Sequence, residues 1–191
     1  MNAVKEREVV IGAGPIEPPP IELRYPQTMV ERIRESAALN GAGRLLKQTA
    51  ERFHLRQLAE RGEAMLGHPV HPALTDLPIG FWTSSCLLDV LGGHRYAKAS
   101  RTLVGFGVLS AVPTVAFGMG DAVKLDPEPR RIAAVHAAAN LLAVAVYTAS
   151  WRRRRHQHQA TGILLGFLAG AIASAGGYLG GALAWAGGDD D

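Results

Sequence analysis

Residues 160–188, ATGILLGFLAGAIASAGGYLGGALAWAGG, carry no charged side chain, and this stretch decides the fold. A soluble amphipathic helix keeps one polar face toward water, and these residues supply none. About 20 mostly apolar residues are enough for a helix to cross the hydrocarbon core of a bilayer, so a membrane span is expected over about 161–186. Thr102 to Gly120 is also free of charge and gives a span over 102–120. Two more segments, 132–150 and 74–91, qualify by length, although Asp76 and Asp89 flank a short uncharged core in the latter. The predicted fold is all-α: a four-helix transmembrane bundle within residues 67–188, with an N-terminal amphipathic helical arm.

The 191 residues carry 20 Lys and Arg against 17 Asp and Glu, a formal charge of +3. Ten of those twenty cations precede Leu66, so the two parts of the chain are written for different solvents. In the arm the cations alternate with Glu31, Glu35, Glu51, Glu60 and Glu63, which gives no face for nucleic acid. Residues 1–27 read as a disordered, proline-rich tail. Its Val9-Val10-Ile11-Gly12-Ala13-Gly14-Pro15 segment has the glycines of a dinucleotide-binding turn but runs into Pro18-Pro19-Pro20, which cannot form the helix that such a turn needs. No continuous apolar core of a signal peptide is visible in these first residues.

Residues 28–66 read as helical. Met29, Ile33 and Ala37 recur every four residues, Leu39-Asn40-Gly41 is a stop, and a second stretch follows from Gly43 to Leu66. There, Leu45, Leu46, Phe53, Leu58 and Met65 interleave with Arg44, Lys47, Arg52, Arg56 and Arg61. Two readings stay open for it: a basic amphipathic helix lying on anionic headgroups, or a helix packed on its own bundle or on a partner.

Arg95, Lys98 and Arg101 lie in the turn after the first span, and Arg152-Arg153-Arg154-Arg155 lie in the turn after the third. This cationic excess favours the cytoplasmic side for both turns and reads as a topology determinant. The expected location is the bacterial cytoplasmic membrane, multi-pass. His94 beside Arg95 and Asp89 reads as a headgroup contact or an ion pair.

With alternating spans, one membrane face collects His68, His71, Asp76, Asp121, His136, Asn140 and Tyr178. His136, Asn140 and Tyr147 share one stripe of the third span. Polar groups inside a membrane are costly and mark functional sites by default, although mutual satisfaction that merely fixes packing is the competing reading. As a binding site, His71, His136 and His68 are the candidate ligands of a haem b or a transition metal, with Asp76, Asp121, Asn140 and Tyr178 supporting them. His68 and His71 each precede proline, which predicts an extended path with both imidazoles on one side, roughly 9 Å apart.

On the fourth span Gly162, Gly166, Gly170 and Ser174 recur every four residues, continuing on an adjacent stripe with Gly177 and Gly181. Small residues in this register let helices approach closely, at the bundle centre or at a seam between copies of the chain. Cys86 is the single cysteine, so no disulfide or cysteine-ligated cluster forms within the chain. No nucleophile stands with a base, and no catalytic constellation is recognised.

The stretch Gly67-His68-Pro69-Val70-His71-Pro72-Ala73-Leu74-Thr75-Asp76-Leu77-Pro78-Ile79-Gly80 resembles bacterial membrane proteins of the family called domain of unknown function 2231. Asp121, His136 with Asn140, and Gly177-Tyr178-Leu179-Gly180-Gly181 add to the resemblance, which covers about residues 64–186. It implies a four-helix membrane domain, in some members joined to a Rieske-type iron–sulfur domain, and hence redox work. Where the family often has histidine after the paired glycines of its last helix, this chain has Ala182. The functional expectation is a redox-linked haem- or metal-binding membrane module, working with a membrane redox partner. The alternative is a non-enzymatic scaffold or homo-oligomer held through the arm and the glycine stripe.

Overall fold

The computed structural model describes residues 27–186, all helices and short connections. The proline-rich tail, its glycine turn and the terminal aspartates lie outside the described residues. The helices are α1 (Gln27–Glu35), α2 (Asn40–Arg52), α3 (Leu55–Leu66), α4 (Val70–Gly92), α5 (Ala97–Ala122), α6 (Pro127–Arg155) and α7 (Gln159–Ala186). Each of the last four outruns the apolar segment that predicted it. Hydropathy marks the length facing lipid, whereas polar residues such as Arg152 to Arg155 continue the same backbone ladder. Pro127 opens α6 with Glu128 in its first turn, and the four arginines fill its last turn, which suits both ends of the helix dipole.

Among the described residues, three helices are long and apolar enough to cross a membrane: His94–Ala122, Pro127–Arg155 and Gln159–Ala184. The expected first span, α4, falls short of that standard because Asp76, Asp89 and Thr83-Ser84-Ser85 dilute its apolar residues. It nevertheless pairs along α5, as α6 pairs with α7. Its Leu77, Ile79, Leu87 and Val90 are exposed like Phe106, Leu109, Leu142 and Leu164 on the other long helices.

The interior mixes polar with apolar side chains. Ser85, Ser100, Thr114, Ser150 and Arg154 are buried beside Trp82, Val104, Ile132 and Tyr147, while many large apolar side chains face outward. At mid-height Trp82 of α4 stacks on Tyr147 of α6, ring centres 4.0 Å apart and planes 11° from parallel. Gly107 of α5 makes this stack fit, since a Cβ there would lie 2.2 Å from the indole Nε1.

The N-terminal helices depart from the expected boundaries. Asn40 and Gly41 do not stop a helix; they open α2, and the Asn40 side-chain oxygen accepts from Arg131 Nε at 2.9 Å. Breaks fall instead at Ser36, which is extended, and at His54, whose φ of 55° ends the helical path. Of the two readings of the arm, its inner face packs on the bundle: Ala50 and Ala59 are buried, and Leu46 joins Ala122, Ala133 and Ala134. Gly120 of α5 is the closest approach, because a Cβ there would meet the Leu55 carbonyl oxygen at 2.3 Å. Leu45, Phe53 and Met65 remain exposed on the outer face.

Candidate functional site

His71 stands in the first turn of α4. The expected extended path through His68 and His71 is therefore corrected: Pro72 lies inside that turn, where its missing N–H has no partner to lose. The two imidazoles part company. His68 is exposed, with Nδ1 3.0 Å from the Pro69 carbonyl, and His71 turns inward to α5. Its Nδ1 donates to the Thr114 carbonyl at 2.9 Å. Thr114 in turn shares its hydroxyl proton between the carbonyls of Ser110, at 2.9 Å, and Leu74, at 3.1 Å. Leu74 needs that donor because Pro78, four residues on, has no N–H to offer.

His136 on α6 repeats the arrangement against α7. Its Nδ1 donates to the Gly176 carbonyl at 2.8 Å, while Asn140 Nδ2 donates to the His136 carbonyl at 2.9 Å. The two imidazoles meet edge to face, ring centres 6.4 Å apart and planes at 88°. Glycines clear the space for both. A Cβ at Gly118 would lie 2.6 Å from His71 Cε1, and one at Gly180 would lie 2.8 Å from His136 Cε1. Since a carbonyl oxygen only accepts, both rings carry a proton on Nδ1, and in the neutral form His136 Nε2 accepts from the Asn140 amide nitrogen at 3.3 Å.

Asn140 is the expected supporting residue that contacts His136 directly. Asp76 is exposed on α4, and Asp121 pairs with Lys124 at 3.4 Å, which also reaches Glu63 of α3 at 2.7 Å. Tyr178 is half-buried on α7. Tyr147 shares the stripe of His136 but is committed to Trp82. Among the described residues no three His, Cys, Asp or Glu side chains gather as a metal set.

The glycine stripe faces α6 within one chain. A Cβ at Gly162 would lie 2.4 Å from Arg154 Cγ, one at Gly166 3.1 Å from Arg154 Nη2, and one at Gly170 3.2 Å from the Tyr147 hydroxyl. Ser174 is exposed and donates to the Gly170 carbonyl. The expected continuation shifts by one residue: Gly177 and Gly181 open onto free space, whereas Gly176 and Gly180 touch Asn140 and His136.

Sequence reasoning missed a second polar centre at the opposite end. Arg154 is not part of a solvated turn; it is buried and forms two hydrogen bonds with Asp89, at 2.9 and 2.7 Å. Ser100 accepts from Arg154 Nη1 at 2.8 Å and donates to Asp89 at 2.7 Å, and Ser85 lies 2.8 Å from Ser100. Ser150 donates to the Gly162 carbonyl at 2.6 Å. Asp89 is therefore not the partner of the exposed His94. The signal was present in Ser150 and Arg154 at i, i+4 opposite glycines, and in a lone aspartate ending an apolar run.

An all-helical protein with polar groups inside and an apolar exterior is a protein built for a membrane. The model of the predicted membrane proteins described as DUF2231 matches residues 67–188. The chain belongs to that family. No curated protein and no solved structure matches it.

Proposed function

We propose that the chain is a multi-pass protein of the bacterial cytoplasmic membrane, crossing with α4 to α7, and that its His71–His136 pair holds a haem b or a single transition-metal ion. The observation that carries this reading is the commitment of each Nδ1–H to a backbone carbonyl of the neighbouring helix, which fixes both tautomers and makes Nε2 the ligating nitrogen of each ring, in exchange for the 3.3 Å Asn140 contact at His136. The rings lie 6.4 Å apart, close enough for one bound group to touch both. Two imidazoles are too few for a closed zinc site, and His71 with His136 would be the residues that hold a haem.

In this role the protein fixes the rings and excludes water, and the bound group supplies one-electron chemistry to a redox partner in the same membrane. The arginine-rich end faces the cytoplasm, with Arg152, Arg153 and Arg155 still exposed there. The scaffold alternative loses its main feature, because the glycine stripe is used within the chain.

The ultraviolet–visible spectrum and metal content of detergent-purified protein test the reading. A Soret band, or about one metal per chain, that disappears in both His71→Ala and His136→Ala is expected. A colourless, metal-free protein from cells supplied with haem and metals would overturn it.

A further inference from the structure

Arg152, Arg153, His156 and His158 line a cleft of about 440 Å³ with Ala149, at the opposite end of the bundle from His71 and His136. We propose that this cleft binds the headgroup of an anionic phospholipid, with the acyl chains lying along α6; the inference rests on the membrane reading above.

Three observations favour a lipid. First, Ala149, Arg152, Arg153 and His156 stand at i, i+3, i+4 and i+7, one stripe of α6. Leu142 and Ala145 continue that stripe and are exposed and apolar. An amphiphile matches the surface along its whole length, whereas a nucleic acid would leave the apolar part uncovered. Second, the cleft is at headgroup depth. Trp151 lies beside it with the Arg155 guanidinium 4.8 Å from its ring centre, and Tyr96 on the same end carries Arg95 at 5.7 Å, the arrangement of an interfacial aromatic belt. Third, the positive charge there is uncompensated. The nearby carboxylate, Asp89, is buried and spent on Arg154, and α7 begins at Gln159 with no acidic residue in its first turn. Two arginines with two imidazoles form a site for a phosphodiester.

The test uses full-length protein reconstituted into vesicles of equimolar phosphatidylglycerol and phosphatidylcholine. The protein is then extracted in mild detergent and weighed with its retained lipid by native mass spectrometry. Retention of phosphatidylglycerol over phosphatidylcholine by roughly tenfold is expected, falling toward parity in R152Q/R153Q. The variant R95Q/R101Q removes equal charge from the same face and keeps the preference. Equal retention of both lipids by the wild type, an equal loss in R95Q/R101Q, or displacement of the lipid by inorganic phosphate or by an oligonucleotide would each overturn the proposal. An alkaline carbonate wash of the same vesicles separates the two readings. Protein released by the wash sinks the membrane reading, whereas protein that stays without lipid preference sinks only the cleft.

Discussion

Arg154 on α6 and Asp89 on α4, 65 residues apart in sequence, form a two-pronged ion pair with 1% and 2% of their side chains exposed. Deep burial makes the pair costly to break and cheap to replace. Removing one partner strands a charge, at about 3–5 kcal/mol, whereas an apolar pair of similar volume is close to neutral. Arg154→Met and Asp89→Leu are each expected to lower stability by that amount in detergent unfolding, and the double variant to regain most of it. Additive losses in the double variant would show that the two residues act separately.

The glycines beside the imidazoles give a sharper test of the site than the histidines themselves. Gly180→Leu is expected to push the His136 ring off its Gly176 carbonyl, cost about 1–3 kcal/mol and abolish any bound chromophore or metal. Gly177→Ala, one helical step away and open to free space, is expected to change stability by less than about 0.5 kcal/mol. Comparable effects at the two positions in thermal unfolding and absorbance would contradict the geometry.

Gly162 sits on the aliphatic stem of Arg154. Gly162→Val is expected to destabilise the protein by about 1–3 kcal/mol and leave its oligomeric state in size-exclusion chromatography with light scattering unchanged. A variant of normal stability but altered assembly would return the stripe to a seam between chains.

Lys124 anchors α3 to the loop before α6. Its hydrogen bond to Glu63, aided by the charge of Asp121, raises its pKa above the ordinary lysine value despite some desolvation. A folded-state pKa above the unfolded one gives a contribution that is fully present below about pH 10.4 and lost as pH rises through the folded value. Proteolysis within α3 is therefore expected to quicken above that pH in the wild type. Glu63→Gln is expected to show faster proteolysis already at neutral pH and a smaller further rise.

The helical class and the pairing of His71 with His136 were legible in the sequence because they follow from local rules: hydropathy over a window, and alternation of span direction. Three features were not. Pro72 inside the first turn of α4 depends on where the helix starts, which pre-proline preference alone does not fix. The tie between Asp89 and Arg154 depends on which faces of α4 and α6 meet, and a run of four arginines conceals the member that points inward. The one-residue shift from Gly177 and Gly181 to Gly176 and Gly180 depends on the rotation of α7 about its axis, since both sets share the same spacing.

The stacked rings of Trp82 and Tyr147 lie between the imidazoles at one end and the arginine–aspartate lock at the other. They act as a floor with a separate room on each side. Val104, Ala111 and Ala169 complete that storey. Two hydrogen-bonded centres thus share one bundle with an aromatic partition between them, so a substitution in either room is expected to leave the bonds of the other in place.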